Sequence, residues 1–171
     1  MSLGAVVHSD GYVDFVSRLL DVDSSIVKEL QPQPPTDALL SQSFQRSVLP
    51  PKGESPMTLA ECMVLYAVVR LVQPKVVVET GVSAGRFSSY LLAALRENGS
   101  GELWSIDPNP DCGQAVPAAY KENWHILNRT SREVLKSVVQ EHNVDIFIHD
   151  SLHTYENMKF EFETVWPSLS T

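Results

Sequence analysis

The chain has 171 residues, 43% hydrophobic and 20% charged, the proportions of a soluble globular domain with one buried core. Thirteen Lys and Arg against 21 Asp and Glu leave a formal charge of −8, which opposes attraction to nucleic acid or to an anionic membrane. No run approaches the ~18 apolar residues that span a bilayer, so neither membrane nor nucleic acid is expected as a partner.

The opening "MSLGAVVHSDGYVDF" lacks the basic stretch and apolar core of a secretory signal. Cys62 and Cys112 have no metal-ligand spacing, and a cytoplasmic protein with free thiols is expected.

Residues 1–55 read as a helical cap or arm, and 56–171 as the main domain. Helical patterns at 11–20, 24–30 and 36–44 are separated by "QPQPP" (31–35) and closed by "LPPKGESP" (49–56), proline densities that interrupt helices. Tyr12, Phe15, Val16, Leu19 and Leu20 recur at helical spacing and are expected to pack. Thr58 and Glu61 then form a capping box ahead of "CMVLYAVVRLV", a helix of roughly 14 residues. "KVVVET" (75–80) is a β-branched run suited to a strand buried on both faces. A helix at 86–99 stops at Asn98-Gly99. There follow a strand at 101–107, a weak helix at 114–122 broken by Pro117, a strand at 124–128, a helix at 131–143, a strand at 144–150 and a helix at 154–169.

Alternation with short connections predicts an α/β fold, a doubly wound and mostly parallel sheet with helices on both faces. Such sheets take ligands outside the carboxyl ends of their strands, near the point where strand order reverses. The residues to watch are 79–85, Asp107, 128–131 and 150–153.

The loop Gly81-Val82-Ser83-Ala84-Gly85 has Ser83 where a dinucleotide-binding loop requires a glycine. It also has three residues between its glycines, followed by Arg86-Phe87, whereas a triphosphate loop needs four and then Lys-Ser/Thr. What remains is an acid, Glu79, ahead of two glycines. An acid there opposes phosphate and favours a cation, by ~4 kcal/mol at ~4 Å and an effective dielectric of ~20, before desolvation.

The stretch Glu79-Thr80-Gly81-Val82-Ser83-Ala84-Gly85 resembles the first motif of class I methyltransferases, whose cofactor S-adenosylmethionine carries an ammonium and a sulfonium and no phosphate. The resemblance assigns Glu79, Thr80, Gly81, Ser83 and Gly85 to the cofactor, gives Asp107 both ribose hydroxyls, and sets Thr130 and Ser131 of "NRTS" beside the adenine. Thr and Ser at a helix start are also ordinary caps, and one residue can do both.

The segment "IFIHDSLHTYENMKFEFETVWPSL" (146–169) is similar to the D-x-x-H-x-Y-E segment of the small-molecule O-methyltransferase branch that includes macrocin-type macrolide-sugar and cephamycin-pathway enzymes. That likeness puts Asp150 beside the transferring methyl and His153 near the acceptor hydroxyl, as the catalytic pair. In the branch the aspartate commonly helps hold a divalent cation such as Mg2+; whether a metal is used here stays open, further ligands being expected beyond residue 171. A carboxylate-held cation lowers the pKa of a hydroxyl, and an imidazole with pKa ~6.5 can take its proton.

Against these stand plainer readings. A His near a helix start is usually a hydrogen-bonded surface residue. His149 is expected to pack against a neighbouring element, and His8, His125 and His142 show no constellation. Glu156, Glu161 and Glu163 read as a solvated helix face, and Trp104, Trp124 and Trp166 as core anchors.

The resemblance covers roughly residues 54–171. In the family "WPSL" leads through a Gly-Gly turn into a fifth strand ending in acids, whereas this chain stops at "WPSLST". A fragment is therefore expected, with an open sheet edge beside the fourth strand. The implied activity is methyl transfer to an oxygen of a small molecule. The rival is a catalytically inactive binding protein that assembles through its cap and open edge, as a homodimer or with another subunit.

Overall fold

The computed structural model describes residues 11–34, 36–46 and 59–169. Thr58 of the expected capping box and the segment 49–56 lie outside these residues. Four strands, β1 (Val76–Thr80), β2 (Glu102–Ile106), β3 (Trp124–Leu127) and β4 (Ile146–His149), pair in parallel in the order β3-β2-β1-β4. This is the doubly wound α/β architecture that the alternating pattern predicts. The register sets Thr80 beside Ile106 on one side and His149 on the other. Strand order thus reverses at β1, whose carboxyl end opens the crevice where such a sheet takes a ligand.

Side chains alternate across a strand, so β1 sends Val77 and Glu79 to one face and Val78 and Thr80 to the other. The first face is covered by α4 (Leu59–Val72) and α5 (Arg86–Asn98); α1 (Gly11–Leu20) packs on α4, α3 (Thr36–Arg46) on α5, and α2 (Ser24–Glu29) against α1. One continuous apolar cluster there joins Tyr12, Val16, Leu40, Tyr66, Val77 and Leu91. The opposite face is covered by α6 (Ser131–Glu141) and α7 (Tyr155–Val165), with Val78, Ile106, Leu135 and Val165 buried between them. Each fully buried aliphatic side chain contributes about 1.5–3 kcal/mol, which makes the valines of β1 the seam of both halves.

Several expectations change. The weak helix at 114–122 is absent; only a short 3-10 turn forms, at Ala118–Asn123. Pro117 lacks an N–H, and the preceding amides are turned onto the loop after β1, Gly113 donating to the Ser83 carbonyl and Ala115 to that of Ala84, both at 2.8 Å. In α1 the buried residues are Tyr12, Val13 and Val16, while Phe15 and Leu19 face outward. The last helix ends at Val165 and passes into a 3-10 turn at Trp166–Ser168, leaving Trp166 exposed rather than anchored in the core. No helix among the described residues is long and apolar enough to cross a membrane.

Candidate active site

The site is built where β1 and β4 converge. Gly81 has φ +85°, and a Cβ there would lie 2.1 Å from the Asp150 carbonyl oxygen. The bare glycine lets the two strand ends close, and the Asp150 N–H donates to the Thr80 carbonyl at 2.8 Å. Gly85, at φ +89°, is the N-cap of α5 and seats the loop against Gly113 and Val116.

Asp107, at the end of β2, holds the same loop from the other side. Its Oδ2 accepts from the N–H groups of Val82 (2.8 Å) and Ser83 (3.1 Å), and its Oδ1 from that of Asn109 (2.8 Å). A carboxylate offers about four acceptor positions, so about one is left for a ligand hydroxyl, not the two that a ribose clamp by Asp107 alone requires. After β3, the amide and hydroxyl of Thr130 both donate to Glu133 Oε2, at 2.8 and 2.6 Å, tying Thr130 into the first turn of α6.

A cavity of about 510 Å³ lies across these strand ends, within the ~300–1,000 Å³ typical of small-molecule sites. Of the residues singled out in the sequence, Thr80, Gly81, Ser83, Asp107, Thr130, Ser131 and Asp150 line it. Ile106, Pro108 and Leu152 supply apolar wall, and Arg132, Ser151 and Asn157 complete the polar lining. Glu79, Gly85 and His153 are not part of that lining. His153 is largely exposed, its Nε2 standing 3.6 Å from Asp150 Oδ1.

Two buried carboxylates back the cavity, one on each face of the sheet. Glu79 points away from it, toward α5, and is 1% exposed; it accepts at Oε1 from Ser88 (2.5 Å) and Ser105 (2.6 Å), and Trp124 Nε1 donates in turn to Ser105 Oγ (2.7 Å). Burial pushes its carboxyl up to about 7, against the two hydroxyls and with help from the charges of Asp150 and Asp107. The direct contact with a cationic ligand expected of Glu79 is thus replaced by a buried polar cluster, because strand alternation turns Glu79 and Thr80 to opposite faces.

Glu161 corrects the reading of α7. Rather than lying on a solvated face, it is fully buried beneath the cavity. Its Oε2 accepts from Thr80 Oγ1 (2.6 Å) and meets His149 Nδ1 (2.6 Å), while its Oε1 accepts from Ser151 Oγ (2.8 Å) and Asn157 Nδ2 (2.9 Å). Burial drives its carboxyl upward, but hydrogen bonds from Ser131, Thr80, His149 and Ser151 outweigh that and hold it below the usual carboxylate range. A faint signal existed: Asn157, Glu161 and Val165, spaced by four, are the buried stripe of α7. His125 and His142, which showed no constellation in sequence, both pack on Trp104 at 4.3 Å and face Glu102.

The model of a family described as a methyltransferase domain matches residues 78–171, more than half of the chain. The chain belongs to that family. Among solved structures it is similar to an S-adenosylhomocysteine-bound methyltransferase of Podospora anserina, with 16% identity and a TM-score of 0.64, over 95% of this chain and 67% of that one. It is also similar to an O-methyltransferase of Streptomyces achromogenes involved in tomaymycin synthesis, in complex with S-adenosylmethionine (16% identity, TM-score 0.55, covering 81% and 62%). A third likeness is to an O-methyltransferase of Bacillus cereus in complex with S-adenosylhomocysteine (15%, TM-score 0.51, 94% and 68%). These identities establish a shared fold, and the chain spans about two thirds of the length of each. No curated protein shows a significant sequence match.

The chain carries acids, Asp107 and Asp150, at the ends of β2 and β4, both lining one cavity. Among the described residues, no group of three or more His, Cys, Asp or Glu is arranged to hold a metal ion. Asp150 and His153 make a pair, which does not by itself fit a divalent cation.

Proposed function

We propose that the chain binds S-adenosylmethionine in this cavity and directs its methyl to an oxygen of a small molecule, within the macrocin- and cephamycin-type O-methyltransferase branch. The observation that carries the reading is the charge of the cavity. Among the described residues, its lining holds the carboxylates of Asp107 and Asp150 against the guanidinium of Arg132, with Glu161 beneath, and the loop after β1 lacks a phosphate-binding pattern. That donor set fits a ligand carrying an ammonium and a sulfonium.

When bound, the cofactor supplies an electrophilic methyl on sulfur for displacement by a nucleophilic oxygen. The chain's own contribution is alignment at near-attack distance of ~3–3.5 Å, which carries most of such catalysis. Asp150 Oδ1 faces His153 Nε2 and orients the imidazole, which leaves the other ring nitrogen, Nδ1, to receive the proton of an acceptor hydroxyl. The O-methyltransferases among its structural neighbours support an oxygen acceptor. Metal assistance lacks comparable support.

Calorimetry tests this directly. Wild-type protein is expected to bind S-adenosylmethionine and S-adenosylhomocysteine, and Asp107→Asn to weaken both by about tenfold or more, since its NH2 group must face either the Val82 and Ser83 N–H groups or that of Asn109, and it removes a charge. No binding of either at millimolar ligand would sink the proposal.

A second reading has its own observation. Tyr155, Met158, Phe162 and Trp166 form an exposed apolar stripe along α7, and among the described residues β4 is paired along its length only with β1. An isolated parallel bridge joins Val144, just ahead of β4, to Leu169. If that apolar surface receives another subunit, the protein is a non-catalytic partner of an assembly. Native mass measurement with and without cofactor separates the two: constitutive assembly with no ligand binding favours the partner.

A further inference from the structure

Glu161 lies outside every motif recognised in the sequence, yet it gathers more donors than any other carboxylate of the site. Thr80, Ser151 and Asn157 all line the cavity, and all three side chains bond to this one carboxylate, which the fold buries completely. An ionised carboxylate only accepts hydrogen bonds, so the hydroxyls of Thr80 and Ser151 must each turn their single proton inward. The remaining lone pairs of Thr80 and Ser151 are then the groups left on the cavity side, one Ser151 lone pair being taken by Asn157 Nδ2 at 3.1 Å. His149, on the same face of the sheet, meets the carboxylate through Nδ1. Its Nδ1 must therefore carry a proton, leaving Nε2 buried and without a partner among the described residues.

We propose that Glu161 is a positioning residue that fixes the polarity of the cavity floor: by drawing the hydroxyl protons of Thr80 and Ser151 inward it makes the floor an acceptor surface for the ammonium of the ligand's amino-acid portion. This rests on the reading that the ligand is an S-adenosyl compound. It deepens that reading by naming what recognises the amine. Glu161→Gln keeps size and shape but brings in an NH2 group that donates, so that at least one hydroxyl must reverse and present its proton to the cavity. Neutral hydroxyls oriented by a buried charge also bind a cation without the phosphate repulsion or long-range field of a lining carboxylate.

The test compares two ligands that share adenosine and sulfur. S-adenosylhomocysteine has the ammonium; 5′-deoxy-5′-methylthioadenosine lacks the amino-acid portion. Glu161→Gln is expected to weaken S-adenosylhomocysteine about tenfold and leave methylthioadenosine within about twofold, measured by calorimetry. Equal losses for both ligands would make Glu161 a general structural residue and overturn the proposal, as would no loss for either. If the wild type binds neither nucleoside, the S-adenosyl reading fails and the proposal falls with it, an outcome distinct from selective failure of the variant. Should Glu161→Gln not fold, Thr80→Val removes one floor hydroxyl at nearly constant volume and carries the same comparison: selective loss of S-adenosylhomocysteine supports the inference, and parallel behaviour of the two ligands refutes it.

Discussion

Glu79→Gln is expected to raise the unfolding free energy at pH 8 by on the order of 2 kcal/mol and to lower it by on the order of 1 kcal/mol near pH 4. The reason is a carboxyl buried against α5 with two hydroxyl donors and no cation among the causes acting on it, so that burial, aided by Asp150 and Asp107, pushes it up to about 7. In the unfolded chain it titrates near 4.5. Below that pH both states hold the proton and the folded protein keeps its full stability. Between 4.5 and about 7 the unfolded chain ionises while the folded one stays protonated, so stability falls as pH rises. The loss is ~1.4 kcal/mol per pH unit across that window, on the order of 3 in all, and is complete above the folded value.

The amide cannot ionise, which removes this slope, while its NH2 group sits less well between Ser88 and Ser105 and returns part of the gain. Chemical denaturation of both proteins from pH 4 to pH 8 checks the prediction, because every other titration cancels in the difference. Parallel curves would show that Glu79 is ionised when folded. The same physics reaches the ligand without contact: a cation between Asp107 and Asp150 offsets two charges that hold the Glu79 proton. Binding is therefore expected to release a proton near pH 7 in the wild type and not in Glu79→Gln.

How far these features were legible in the sequence follows from how local their causes are. β1 is a run of β-branched residues, and Asp107 and Asp150 simply follow strands, so their convergence on one crevice follows from parallel topology. Glu79 was legible as a strand-end acid but not in its direction. The alternation that turns Thr80 toward α7 turns Glu79 toward α5, and that consequence of a period of two is lost when 79–85 is read as one motif. Glu161 was hidden for a different reason. Its partner Thr80 lies 81 residues away, and Glu156 and Glu163 on the same helix are exposed, so nothing local separates it from them. The segment 114–122 failed as a helix because Pro117 breaks it and the Ala115 amide, with that of Gly113 just ahead, answers the carbonyls of another loop, a tertiary demand that helix propensity does not contain.

Gly81→Ala is expected to lower the unfolding free energy by about 3 kcal/mol and to abolish binding of S-adenosyl ligands in the cavity, whereas Gly99→Ala should cost only about 1. Both glycines sit in the left-handed region, at φ +85° and +70°, so both substitutions carry the backbone cost of about 1 kcal/mol. They differ in what a methyl group would meet. At Gly99 nothing lies within 4 Å; at Gly81 the Asp150 carbonyl oxygen would be 2.1 Å away, its carbon 2.5 Å and the Ser151 nitrogen 2.8 Å. These are backbone atoms with no rotamer to change, so the ends of β1 and β4 must part. Parting them strains the bond from Asp150 N–H to the Thr80 carbonyl and that from Gly81 N–H to the Ile106 carbonyl, each worth about 0.5–1.5 kcal/mol. Thr80 and Asp150 line the cavity from these same strand ends, so the stability loss and the binding loss share one cause. Denaturation midpoints of the two variants beside calorimetry with S-adenosylhomocysteine decide the matter: equal costs at positions 81 and 99, or binding retained in Gly81→Ala, would show that the close approach of β1 and β4 does not shape the site.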